Sequence, residues 1–233
     1  EYDLAADVFV GRIPIRLPSQ ASDYIAKVVD YETSPPTDIL RKFMMGGKRL
    51  WAGYGGTRRP DFPVADGHMA FRDAQHPLVS DVELLLRLAY RDNVQAYGWS
   101  ASTVGCLFDT LTSWDEESEA GTYAASGENM TARFNEGWNF LFHDTHGNTD
   151  IWNGEDTSFG GQHAEALTGL TAFIYTIACH SGAFDKETSL GESFLRNAAG
   201  GALAYLGCSR YGWSGISPDF RNAFQEVLFR DRV

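Results

Sequence analysis

Cysteine is scarce. The chain has three in 233 residues (Cys106, Cys179 and Cys208), too few and odd in number for a disulfide framework. Basic residues are also outnumbered, 19 Lys and Arg against 31 Asp and Glu, for a formal charge of -12. That balance argues against nucleic acid as a partner and gives no support to binding at an anionic membrane. No apolar run approaches the length of a membrane span, so membrane insertion is not expected. No internal repeat, EF-hand spacing or closely spaced metal-binding repeat is present. Nothing at the amino end reads as a signal peptide. The chain starts at Glu1, almost directly on an expected strand, so an excised or processed piece of a larger precursor is expected and compartment stays open. What remains is an ordinary folded composition, 43% hydrophobic and 13% aromatic. It is sufficient for the core of one domain or one large subdomain.

Two stretches carry the chemistry. Thr171-Ala-Phe-Ile-Tyr-Thr-Ile-Ala is an apolar, β-branched and aromatic run of strand length that stops at Cys179, followed by small residues and Gly182. Upstream, Trp138-Asn-Phe-Leu-Phe leads through His143-Asp-Thr to His146-Gly147. Strands apolar at nearly every position are buried on both faces, as in parallel sheets, and functional groups in such sheets lie beyond the carboxyl ends of the strands. One strand end offers a thiol and the other an imidazole, which makes a candidate Cys/His pair for nucleophilic catalysis.

The remaining elements alternate. A strand is expected over Asp7–Pro14, then an amphipathic helix capped by Ser19 with Tyr24, Ile25, Val28 and Val29 on one face. A short helix from Thr37 or Asp38 to Gly46-Gly47 and a strand over Leu50–Tyr54 follow. After a loop over 57–77, Ser80-Asp-Val-Glu83 opens a helix with Leu84, Leu85, Leu88 and Ala89 as its stripe. Gln95–Trp99 reads as an edge strand, Val104–Leu111 as a short helix, and the acidic run Trp114–Glu119 as a solvated loop. Helices are expected over Met130–Gly137, around His163, over Ser189–Leu195 and from Ser217-Pro218, with a buried strand over Ala202–Leu206. Strands alternating with helices predict an α/β fold with a mostly parallel sheet.

These residues carry a family resemblance. Asp7-Val-Phe-Val-Gly-Arg12 with its helix to Tyr31-Glu32, His146-Gly147 with Trp152, Ala178-Cys179 with Gly182, Phe184 and Asp185, then Ser189-Leu190 and Gly200-Gly201-Ala202 run in the order of the gingipain-like cysteine peptidases. The chain thus resembles peptidase family C25, of the caspase-like group that includes legumain, clostripain and separase. The resemblance implies a three-layer α/β/α sandwich. It implies that residues 1–233 form the dyad-bearing catalytic domain or subdomain, with other segments of the precursor as partners. It further implies a cysteine endopeptidase acting on protein or peptide substrates, and a bacterial secreted or surface location.

On that resemblance Cys179 is the nucleophile and His146 the general acid/base, with the amides of Gly147 and Cys179 as oxyanion donors. Asp144, two residues before His146, is a candidate to orient the imidazole. The family's glutamate after the strand matching Leu50–Tyr54 has no counterpart, because the chain reads Tyr54-Gly55-Gly56 there. Asp81 matches the aspartate of the basic-residue pocket and suggests cleavage after Arg or Lys, although its helix-capping position also explains it. Ser209, Arg210 and Trp213 would form a pocket wall, where Arg210 either favours an acidic substrate residue or pairs with a carboxylate. No cofactor is required for this chemistry; structural calcium is left open and no metal ligands are assigned. Two alternatives stand beside this reading: a non-catalytic caspase-like binding or scaffold module, and a zinc site built from His143, His146, Cys179 and His180.

Overall fold

The computed structural model describes residues 11–40, 42–48, 107–113, 126–153, 157–186, 188–213, 220 and 224. The side chains of 107–113, of Asp144 and, apart from Met44, of 42–48 lie outside that set. Of the strand expected over 7–14, residues 7–10 fall outside the described residues and 11–14 are not in a strand; the expected elements over 50–99, the acidic run 114–119 and most of the carboxyl-terminal helix also fall outside them.

The described elements are α1 (Pro18–Thr33), β1 (Lys42–Lys48), β2 (Leu107–Ser113), α2 (Gly127–Phe134), β3 (Trp138–Asp144), β4 (Gly147–Asn148), β5 (Ile151–Trp152), β6 (Phe159–Gly160), α3 (Gly161–Glu165), β7 (Leu170–Thr176), α4 (Leu190–Arg196) and β8 (Gly201–Leu206). Five strands pair in the order β2-β1-β3-β7-β8, and every pairing is parallel. β4, β5 and β6 form a small antiparallel sheet on their own.

Both faces of the large sheet are covered, which explains why β3 and β7 are apolar on both sides. One face packs Met44, Leu141 and Ile174 under Met130 and Phe134 of α2, Ala164 of α3, and Leu190 and Phe194 of α4. On the other face Phe140 meets Phe173 at 5.5 Å and Phe142 meets Tyr175 at 6.0 Å, cross-strand aromatic pairs of the kind that stabilise sheets. Phe220 and Phe224, both helical, stack on that face, with Phe224 5.4 Å from Phe173 and 5.5 Å from Tyr175. These two helical positions lie over the face of the sheet opposite α2, α3 and α4. The expected α/β/α sandwich with its parallel sheet is the observed fold.

Caps and turns set the connections. Ser126 accepts from the Asn129 amide at 3.2 Å to start α2. Ser189 and Glu192 form a reciprocal box at α4, the Ser189 amide donating to Glu192 Oε2 at 2.8 Å. Gly137, just before β3, and Gly201, the first residue of β8, take φ of +70° and +75°, where a side chain is strained.

Three expectations are corrected. The segment expected as a helix from Thr37 to Gly47 instead supplies β1, which is paired on both edges by β2 and β3. Two-sided pairing outweighs the helical preference of its methionines. Likewise β2 replaces most of the helix expected over Val104–Leu111. Finally, α1 begins with Leu17 as N-cap and Pro18 as its first residue rather than at Ser19. Of its expected apolar face, Ile25 (54%) and Val29 (47%) are exposed while Tyr24 and Val28 are half-buried, and the buried residue of the helix is Lys27. The Lys27 ammonium donates to the carbonyls of Leu195 (3.1 Å), Asn197 (2.8 Å) and Gly200 (3.0 Å). These belong to the carboxyl end of α4 and its turn, where unpaired carbonyls attract a cation.

Candidate active site

The carboxyl ends of β1, β3, β7 and β8 share one edge of the sheet. The chain runs from β1 to β2 on one side and then returns to β3 on the other, so the order reverses between β1 and β3. Such a reversal opens a crevice at the strand ends. His146 lies two residues past β3 and Cys179 three past β7, on neighbouring strands at this edge.

The small antiparallel sheet holds the histidine turn. The His146 carbonyl accepts from the Asn153 amide at 2.9 Å, and the Asn153 carbonyl accepts from Thr145 Oγ1 at 2.9 Å. Gly147 then pairs with Trp152. A methyl group added at Gly147 would lie 2.8 Å from Ala178 Cβ, 2.9 Å from the Ile151 carbonyl and 3.4 Å from the Cys179 carbonyl. The backbone of His146-Gly147 therefore lies directly against Ala178-Cys179, and only glycine permits that approach.

The thiol turn is built as tightly. The Ile177 amide donates to the His143 carbonyl at 3.3 Å, the Ala178 amide to Thr176 Oγ1 at 3.1 Å, and Ser181 Oγ to the Ala178 carbonyl at 2.9 Å. Residues 208–212, following β8, run beside this turn. The Gly182 amide donates to the Cys208 carbonyl (3.0 Å) and the His180 amide to the Arg210 carbonyl (2.6 Å). The Gly212 amide donates to Cys179 Sγ, with N···S 3.3 Å. A backbone N–H aimed at the sulfur is a donor suited to negative charge there. Cys179 is half-buried and free. Cys208, also free, has its thiol pushed up by burial and then by the charge of Cys179, so it is held protonated.

Among the wall residues, Ser209 and Arg210 are exposed and Trp213 is 65% exposed. Arg210 forks onto Asp185 through two bonds of 2.9 and 3.0 Å. Of the two outcomes the sequence left for Arg210, pairing with a carboxylate is the observed one. Asp144 closes β3 with its backbone. Asp81 lies outside the described residues. His143 is fully buried, stacked on Trp152 at 4.2 Å, and neither ring nitrogen has a partner. Burial pushes its imidazole down to about 3, so it is neutral. This placement corrects the zinc alternative. His143 faces the core, and no group of three His, Cys, Asp or Glu side chains among the described residues is arranged to hold a metal. Sequence reasoning missed Gly212 and the structural part played by His180. The first is supplied by the tail of a different strand, and the second depends on a backbone angle.

Cys179 and His146 thus each follow one of two adjacent parallel strands of an α/β/α sandwich. The chain belongs to peptidase family C25, whose family model matches residues 1–232. Its fold is similar to that of the Arg-specific cysteine proteinase gingipain R (RgpB), with a TM-score of 0.66 at 15% identity over 97% of this chain and 45% of that one. The complex of the RgpB pro- and mature domains from Porphyromonas gingivalis gives 0.63 at 16% identity over 95% and 45%. The chain thus spans less than half the length of these structures. No curated protein sequence gave a match.

Proposed function

We propose that this chain is the catalytic unit of a cysteine endopeptidase, with Cys179 as nucleophile and His146 as general acid/base. The observation that carries the proposal is the close approach of Gly147 to Ala178-Cys179, together with the Gly212 amide on the sulfur. Cys179 passes its thiol proton to His146 as its sulfur attacks the scissile carbonyl carbon, and the electron pair of the C=O bond moves to oxygen. The amides of Gly147 and Cys179 stabilise that oxyanion. Collapse breaks the C–N bond, the amine leaves with a proton from His146, and an acyl thioester remains on Cys179. A water then gives a proton to His146 as its oxygen attacks the thioester carbon; the C–S bond breaks, the carboxylic acid leaves, and the proton on His146 returns to the sulfur to restore the thiol. Asp144 is proposed to orient the imidazole.

A basic P1 residue is the preferred substrate feature in this proposal, on the strength of Asp81. Asp185 neutralises Arg210, so the one cation at the wall no longer opposes a basic side chain. Trp213 and Ser209 supply the apolar and polar parts of the wall. Protein substrates, other segments of the same precursor and an extracellular location complete the proposal. The test is labelling with acyloxymethyl-ketone peptides bearing Arg, Lys, Asp or Asn at P1, followed by peptide mapping. Labelling of Cys179 that is fastest with Arg or Lys and lost in His146→Ala is the expected result. Failure of every probe while iodoacetamide still reaches Cys179 would favour a scaffold role.

A further inference from the structure

Among the described residues His180 is the one non-glycine with positive φ, at +58°. It directly follows Cys179. That region is sparsely populated by side-chain-bearing residues, and β-branched ones are the most strongly excluded. A residue held there persists because its surroundings over-determine it. The surroundings are visible: the His180 amide donates to the Arg210 carbonyl at 2.6 Å, and its own carbonyl accepts from the Ala183 amide at 3.0 Å. The ring meets Tyr211 edge-on at 4.6 Å, and Tyr211 in turn meets Trp213 at 6.1 Å. Glycine would adopt the same backbone more cheaply, but it has no ring to place against Tyr211.

We infer that His180 is a positioning residue with two separable parts: its left-handed backbone turns Cys179 Sγ toward the Gly212 amide, and its ring fixes the Tyr211–Trp213 wall against that turn. The inference rests on the peptidase reading given above for its consequence in catalysis, but the turn itself is measurable without it. The bond pattern gives the reason. The Gly182 amide reaches Cys208, the His180 amide reaches Arg210 and the Gly212 amide reaches Cys179, so the two segments lace together only while the chain reverses at residue 180. An extended residue there would carry the sulfur away from Gly212. The ring contact is independent of this. It ties two exposed aromatic residues, 63% and 65% accessible, to the segment bearing the thiol.

The test compares His180→Gly, His180→Phe and His180→Val with the wild-type chain. His180→Gly keeps the turn and loses the ring, so kcat stays within about twofold while KM for a peptide substrate rises several-fold. His180→Phe keeps the ring contact, so KM stays near wild type; the pH profile of Cys179 labelling is also unchanged, because the imidazole is not used as an acid or base. His180→Val disfavours the turn, lowering the population of the competent conformation and with it kcat by roughly tenfold. Hydrogen exchange of the 179–183 and 208–213 segments gives a readout free of activity: faster in His180→Val, and near wild type in 179–183 for His180→Gly. Equal kinetics and equal exchange in His180→Val and wild type would overturn the inference. So would a pH profile displaced in His180→Phe, which would make the imidazole a titrating participant. If no substrate is cleaved but exchange follows the expected order, the turn stands and the peptidase proposal fails.

Discussion

Gly147→Ala separates the contact that packs the site from the chemistry assigned to it. The added methyl would sit 2.8 Å from Ala178 Cβ and 2.9 Å from the Ile151 carbonyl. Ordinary carbon contacts lie at about 3.5–4.0 Å, so relief requires a shift of roughly 1 Å. Neither neighbour is a flexible side-chain tip. Ile151 is tied to the small sheet beside Gly147, and Ala178 follows β7, a strand paired on both edges. The shift therefore falls on the backbone that joins the histidine turn to the thiol turn. Overpacking of this kind costs about 1–3 kcal/mol, or about 2–12 °C in Tm for a domain of this size. Losing an oxyanion donor costs on the order of 10²–10³ in kcat, more than the packing loss alone explains. Steady-state kinetics, a thermal melt and iodoacetamide labelling of Cys179 on one preparation distinguish the two effects. A fall in kcat of at least 10² with Cys179 still alkylated is expected. A lowered Tm with unchanged kcat would remove Gly147 from the chemistry, and no change in either would refute the close approach itself.

Three further outcomes follow from single groups. His143 is neutral in the folded chain, held down to about 3 against an ordinary 6.5, so the unfolded chain binds the extra proton and stability falls as pH drops from about 6.5 toward 3. His143→Phe keeps the stack on Trp152, and acid titration followed by circular dichroism should show unfolding at a lower pH than wild type. Burial holds the Lys27 ammonium down to about 8 against an ordinary 10.5, so the folded chain sheds this proton first and stability rises with pH between those values. Melts from pH 7.5 to 10 should show that component in the wild type and not in Lys27→Met; a component of opposite sign in the wild type would show that the three carbonyl acceptors outweigh desolvation. Asp185→Asn releases the charge of Arg210, so labelling by a P1-Arg probe should slow several-fold relative to a P1-Asn probe, with the difference shrinking at high salt.

How much of this was legible follows the nature of each signal. β3, β7 and β8 were readable because strands covered on both faces carry apolar runs that need no partner to be recognised. β1 was not, because Lys-Phe-Met-Met-Gly-Gly-Lys has neither β-branched residues nor alternation, and its strand state comes from hydrogen bonds on both edges. The helix α1 was readable, but its facing was not. Periodicity places Ile25 and Val29 inward, whereas the inward contact is an ammonium answering three carbonyls about 170 residues away in the chain.

The site divides along the same line. Cys179 and His146-Gly147 announce themselves because each ends a strand in small or polar residues, a local pattern with a physical cause. The group that meets the thiol does not: Gly212 belongs to a tail 33 residues further on, and nothing in Arg-Tyr-Gly-Trp says that its amide faces a sulfur. That distribution has a consequence for engineering this chain. Substitutions at Cys179 or His146 report on chemistry alone, whereas the segment between Cys208 and Trp213 carries both the wall side chains and the donor to the nucleophile. A specificity change sought in the side chains of Ser209 or Trp213 is expected to alter KM while kcat stays within about twofold, as for His180→Gly. One that lowers kcat as well would show that the wall and the Gly212 amide move together.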